Sequence, residues 1–287
     1  MKYPKIIYWG LGIGLIICLI LGWIIFCLQK NQELKIIFFN VGQGDAILIE
    51  SGRNQIIIDG GRNEELLLER LGEFMPFWDR TIEAIVVTHP DSDHFGGLIG
   101  ALKNYRVKNV IKTKARSKSQ IWRKMENIIA EKKVNKILAI NGLNIKFPNL
   151  AKIETLFPFF NVAEYPKKTN DTSVVMKLVY GKNSFLFTGD LPSNKEDELL
   201  QTKINLKSEV LKVGHHGSRF STSDDFLEAV DPKDAIISVG KNSYSHPTKE
   251  VLDKLKRRLV RIWRTDQDGN IIYQCKDAVR ECFVFAE

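Results

Sequence analysis

The stretch EAIVVTHPDSDHFGG, residues 83–97, decides how the chain is read. Residues 84–87 form a short apolar run rich in β-branched side chains, bounded by Pro90 and two glycines. Such a run reads as a buried strand. His89, Asp91, Asp93 and His94 follow within six residues, on a loop that leads into a helix expected from about Phe95. A loop at the mouth of a strand can turn these side chains towards one point. Imidazole and carboxylate donors at that density suit a first-row divalent cation. Asp-Ser-Asp is also helix-capping chemistry, but capping gives neither histidine a role.

Working outward, the chain has five histidines: His89, His94, His215, His216 and His246. None falls on an ordinary helix face. His215 and His216 follow the apolar run 210–213, within Gly214-His-His-Gly-Ser218. His246 follows the run 235–239, within Tyr244-Ser-His-Pro247, and Asp190 closes a strand expected over 184–190. Acidic and imidazole groups at the ends of four separate strands describe a site gathered at one edge of the sheets.

Residues 6–28 contain no charged side chain. At about 1.5 Å per residue that length matches a hydrocarbon core of about 30 Å. A cleaved signal peptide would have a shorter apolar region ending in small residues, and neither feature is present. The expectation is a tail over 1–5, a transmembrane anchor over 6–28, a linker over 29–34 and one large domain over 35–287. The terminal amine, Lys2 and Lys5 outweigh Lys30, Glu33 and Lys35 narrowly, which orients the body to the extracellular side of the membrane. The body is long enough to bury a full core. Of the four cysteines, Cys18 and Cys27 fall in the apolar segment; Cys275 and Cys282 flank an expected C-terminal hairpin. A disulfide there and two buried thiols are both compatible with the spacing.

Strands are expected over 36–39, 46–50 and 55–59, with hairpin chemistry in Ser51-Gly-Arg-Asn54. A capped helix is expected over 63–71. Helices at 95–105, 120–132, 194–201, 223–230 and 249–258 then alternate with strands at 110–112, 136–140, 174–180, 184–187, 210–213, 235–239 and 261–264. A meander followed by alternation is a mixed α/β plan, two sheets face to face with helices outside.

Charge is unevenly placed. Between Lys103 and Lys133, eleven Lys or Arg stand against Glu126 and Glu131, so this segment carries about +9 of a formal net charge of +8. The rest of the chain is therefore close to neutral. Lys112, Lys114, Arg116, Lys118 and Trp122 form a basic, aromatic-bearing stretch suited to a phosphate backbone. A solvated helix face near an anionic membrane is the competing reading.

The His-x-Asp-x-Asp-His loop resembles the metal-binding loop of the metallo-β-lactamase superfamily, whose usual form is His-x-His-x-Asp-His. A finer resemblance is to the hydrolase domain of the ComEC competence proteins. It is carried by Val41-Gly-Gln-Gly-Asp45, Ile58-Asp-Gly-Gly61, Asn170-x-x-Ser173, Thr188-Gly-Asp190, His215-His-Gly-Ser218 and His246-Pro247. It runs from about Lys35 to Asp266. The resemblance implies an αββα sandwich and one or two divalent ions. His89 and Asp91 would hold one metal, Asp93 and His94 another, with Asp190 as bridge and His215 as a further ligand that His216 could replace. Asp93, His216 and His246 make up the catalytic set, with His246 as proton donor or late ligand. Asp45 and Asp59 brace the loop from behind it, or cap strand ends in tight glycine turns. No histidine lies between His94 and His215, where the superfamily normally supplies a ligand, so Asn170, Asp171 or Ser173 stands in with oxygen. Oxygen in place of nitrogen shifts preference from zinc towards manganese or magnesium.

The function expected is that of a membrane-anchored metal-dependent hydrolase, a phosphodiesterase or nuclease acting on extracellular DNA in concert with DNA-uptake machinery. Hydrolysis of another ester, lactone or nucleotide on the same fold is one alternative; a non-catalytic DNA-binding or assembly module is the other.

Overall fold

The computed structural model describes residues 5–30 and 33–287. Positions 1–4 of the expected tail and positions 31 and 32 of the expected linker lie outside the described residues. In chain order the first elements are α1 (Lys5–Lys30), β1 (Leu34–Phe38), β2 (Ala46–Ser51), β3 (Asn54–Gly60), α2 (Glu64–Phe74) and β4 (Thr81–Val87). Next come α3 (Ser92–Phe95), α4 (Leu98–Asn104), β5 (Arg106–Lys112), α5 (Gln120–Glu131), β6 (Asn135–Leu138), β7 (Asn144–Lys146) and β8 (Lys152–Phe157). The second half holds β9 (Val175–Tyr180), β10 (Asn183–Phe187), α6 (Ser193–Gln201), β11 (Val210–Lys212), α7 (Asp224–Val230) and β12 (Asp234–Ile237). The chain closes with α8 (Lys249–Arg257), β13 (Arg261–Arg264), α9 (Thr265–Asp268), β14 (Ile271–Cys275) and β15 (Phe283–Ala286).

The strands form two sheets, ordered β15-β14-β1-β2-β3-β4-β5-β6 and β13-β12-β11-β10-β9-β8-β7. Because successive strand residues point to opposite faces, Ile36, Phe38, Ile47, Ile49, Ile56 and Ile58 project between the sheets. There they meet Met176, Leu178, Phe185 and Phe187. The intervening residues Ile37, Leu48, Ile57, Ile85 and Val87 face outward under Leu67 and Leu71 of α2, Leu98 and Leu102 of α4, and Met125 and Ile129 of α5. The second sheet does the same with Leu186, Leu211 and Ile237 beneath α6, α7 and α8. The result is a mixed α/β sandwich, helix, sheet, sheet, helix. Each fully buried Leu, Ile or Phe contributes about 1.5–3 kcal/mol.

Strand direction places the site. β3, β4, β5 and β6 run parallel, as do β10, β11, β12 and β13. The C-terminal ends of both parallel sets open on the same rim, where ligands of α/β sheets commonly bind.

Three expectations need correction. β7 and β8 carry no predicted strand: Pro148 stands between them, Pro158 follows β8, and a register shift between Thr155 and Phe157 breaks the alternation that marks a strand. The single helix expected over 95–105 is two short helices, α3 and α4. The transmembrane anchor is not supported either. α1 spans 26 residues, but among the described residues no helix is long and apolar enough to cross a membrane.

Candidate metal centre

The carboxyl ends of five strands supply the site. β3 carries Asp59 next to its last residue, Gly60; β4 delivers Thr88 and His89 and continues into α3, which carries Asp93 and His94. β10 leads to Asp190, β11 to His215 and His216, and β12 to Ser238. The loop before β2 brings Asp45 alongside. It comes that close because Gly44 lies at φ +126, where a Cβ would sit 2.0 Å from the Asp93 carbonyl oxygen. Asp59, His215 and His216 all hold left-handed backbone conformations at φ 56, 48 and 54. Non-glycine residues adopt that region at a cost, and such strain gathers at functional sites.

Asp190 is the hub. His94 Nε2 lies 3.4 Å from its Oδ1, and His216 Nε2, His215 Nε2 and His89 Nε2 lie 3.5, 3.8 and 3.9 Å from its Oδ2. Asp91 Oδ2 stands 3.6 Å from His89 Nε2, and Asp93 Oδ2 stands 3.7 Å from His216 Nε2. His89, His94 and Asp190 form one compact donor group, and Asp93, His94 and His216 another.

The opposite ring nitrogens are fixed from behind. His94 Nδ1 is 2.8 Å from Asp59 Oδ2, so it carries the proton and donates it. The Thr88 hydroxyl donates to the same carboxylate at 2.6 Å, which leaves its oxygen to accept from His89 Nδ1 at 3.0 Å. His216 Nδ1 donates to the Ser238 carbonyl oxygen at 2.8 Å. Each imidazole is thereby held in the tautomer whose Nε2 lone pair points inward. All three Nε2 atoms, with Asp190 Oδ1, are buried without a hydrogen-bond partner. Convergent buried acceptors with no donor between them fit a cation.

Electrostatics agree. Burial alone would push His94 down, but Asp190 and then Asp59 raise it well above its ordinary value. His216 is also opposed by burial, yet Asp190, Asp45 and Asp93 raise it to about 9. Burial would lift Asp190, and the surrounding imidazoles hold it well below the usual carboxylate range. A divalent ion supplies the positive charge that these carboxylates otherwise draw from protons.

The sequence profile described as the metallo-beta-lactamase superfamily matches residues 39–241. The chain belongs to the metallo-β-lactamase superfamily. Within it, the chain is similar to ComE operon protein 3 of Bacillus subtilis, 34% identical over 278 residues, covering 88% of this chain and 34% of that one. It is also similar to competence protein ComA of Neisseria gonorrhoeae, 27% identical over 247 residues, covering 83% and 32%. This metallo-β-lactamase chain thus spans about a third of the length of these curated relatives. Among solved structures, the metallo-β-lactamase fold protein YhfI from Bacillus subtilis shares the fold at 12% identity and a TM-score of 0.54, covering 85% of this chain and all of that one.

The metallo-β-lactamase loop residues and Asp190 come together at one point, and the two adjacent histidines differ in placement. His216 is buried against Asp190 and Asp93, whereas His215 lies partly exposed at the rim with its ring 5.3 Å from His246. Burial and the neighbouring His215 and His216 push His246 down to about 4, so it is neutral at pH 7 and carries no extra proton. Asp59 holds His94 and Thr88; Asp45 faces His216 at 3.4 Å and pairs with Lys212 at 2.6 Å. Ser173 Oγ accepts from the Asp190 amide at 3.2 Å, and the Asn170 amide nitrogen sits 3.3 Å from His215 Nδ1.

Within the expected DNA-binding stretch, Trp122 is corrected. Trp122 is 2% exposed and packs edge-on against Phe95 at 4.8 Å, inside the core. Lys112 pairs with Glu126, Arg116 with Glu164, Lys108 with Glu83, and Lys103 and Lys124 with Glu64. Lys118 sits over the Tyr165 ring at 5.6 Å, and Lys114 lines a shallow cleft beside Lys112 and Arg116. Part of the charge concentrated in sequence is offset by Glu64, Glu83 and Glu164 from outside the segment. Sequence reading missed Thr88, Ser238 and Lys212. Only Lys212 left a trace, as a charge inside the apolar run VLKV.

Proposed function

We propose that the chain is a metal-dependent phosphodiesterase that hydrolyses DNA. The observation that carries the reading is the convergence of three buried, tautomer-locked imidazoles on Asp190, their inward nitrogens unpartnered. In this reading His89 and Asp91 would hold one cation and Asp93, His94 and His216 a second, with the Asp190 carboxylate available to both. Divalent ions there supply an activated water and stabilise charge on a phosphoryl oxygen.

The chain's own groups do the remaining work. Asp59, Thr88 and Ser238 keep the ring nitrogens aimed, so little reorganisation is needed on binding. His215 and His246 at the rim each offer a neutral ring N–H to the oxygen that departs. The carboxylate-rich set of Asp91, Asp93 and Asp190 favours manganese over zinc. DNA as substrate is supported by the resemblance to the competence proteins.

We place the body outside the cytoplasm and at a membrane. The Cys275–Cys282 disulfide suits an oxidising compartment. Trp9, Ile13, Leu15 and Leu19 of α1 are exposed, which suits contact with an apolar surface.

The test is a substrate panel with the full chain in detergent, supplied with manganese or zinc: DNA oligonucleotides, bis(p-nitrophenyl) phosphate, a carboxylic ester and a lactone. Cleavage of the two phosphodiesters, faster with manganese, is expected. Turnover confined to the ester or lactone would contradict the reading.

A further inference from the structure

Beside the metal centre lies a cavity of about 630 Å³, with Asp91, Asn170 and His215 on its inner wall. Lys168, Asp171, Arg219 and Phe220 also line it, and Lys168, Arg219 and Phe220 are exposed. We propose that this cavity takes one unpaired nucleotide next to the scissile phosphate, which makes the enzyme selective for single-stranded nucleic acid. The proposal rests on the phosphodiesterase reading and names the substrate form of that site.

Three observations converge. The first is size. About 630 Å³ falls within the range of small-ligand pockets, enough for one nucleotide and too little for a duplex. A base inside a duplex is stacked and paired, and cannot enter a side pocket unless it is flipped out. The second is the aromatic surface. Phe220 is 70% exposed on the cavity wall, and Tyr244 is 70% exposed beside His246, its ring 5.8 Å from the imidazole and tilted 29° to it. Exposed aromatic faces beside a phosphate-directed site are what unpaired bases stack on, without regard to sequence.

The third is charge. Five of the eleven basic residues of 103–133, namely Lys103, Lys108, Lys112, Arg116 and Lys124, are engaged in ion pairs. Lys168 and Arg219 are exposed, and among the described residues neither pairs with a carboxylate. Their positive charge is therefore available to a phosphate flanking the one at the metal centre, where it would contribute to salt-dependent affinity.

The experiment uses the full chain in detergent with manganese. It compares a fluorescent single-stranded DNA 12-mer, the same sequence as a blunt duplex, and methyl p-nitrophenyl phosphate, which carries no base. The single strand should be cleaved with a kcat/KM at least tenfold above the duplex. Phe220→Ala should lower kcat/KM on the single strand by about tenfold or more, mostly through KM, with a much smaller effect on the small diester. Phe220→Trp should retain most of the single-strand rate, and Arg219→Gln with Lys168→Gln should flatten the salt dependence of KM. Equal rates on single strand and duplex would overturn the proposal, as would equal losses on both substrates in Phe220→Ala. Failure of the wild type on every phosphodiester would instead remove the phosphodiesterase reading beneath it.

Discussion

At the scale of single residues, the least expected group is Lys212. Its ammonium is fully buried, 2.6 Å from Asp45 and 2.9 Å from the Val213 carbonyl oxygen. A buried charge is tolerated only when paired and hydrogen-bonded. Burial would raise Asp45, but Lys212, then His216 and His94, hold it below its ordinary value. Lys212 therefore offsets part of the negative charge that the centre gathers. Lys212→Met should destabilise the chelator-treated protein by about 3–5 kcal/mol, since it strands a buried carboxylate. The double variant with Asp45→Asn should recover much of that loss. Urea denaturation checks both, and a neutral Lys212→Met would mean that the pair carries no such weight. The donors of the metal loop were legible because His89, Asp91, Asp93 and His94 are contiguous in sequence. Lys212 and Trp122 were not, because their roles depend on what other elements place around them.

At the scale of elements, the rim is kept in order by side chains that satisfy helix ends. Glu196 of α6 accepts from the backbone N–H groups of Thr222 at 2.6 Å and Ser223 at 2.9 Å, and Thr222 sits at φ 60. Ser223 in turn caps α7 by accepting from the Phe226 amide. Glu196→Ala leaves two buried donors without a partner and should cost about 1–3 kcal/mol. Hydrogen exchange over residues 222–230 should rise more than over β10 or β11. A uniform change across the fold would contradict the local role. Most elements were legible in sequence. The central strands of the parallel sets, β3, β4, β10, β11 and β12, are largely buried and read as apolar runs, and α5 and α7 have serine caps at Ser119 and Ser223. β8 was not legible, because the bulge near Thr155 removes the period that would reveal it.

At the scale of the whole molecule, two sheets converge their carboxyl ends on one rim, and the metal-directed groups come from both. Neither sheet alone holds the centre: Asp59, His89 and His94 belong to the first, Asp190 and His216 to the second. A cation bound there ties the two sheets together, so binding should stabilise the fold by about 2.7 kcal/mol at a hundredfold excess over Kd. The measurement that tests this account most directly is DNA oligonucleotide turnover by chelator-stripped protein titrated with manganese, in the wild type and in Asp190→Asn. The account predicts no turnover without metal, saturable recovery in the wild type, and no recovery in Asp190→Asn. Turnover in the stripped protein, or equal recovery in the variant, would contradict it.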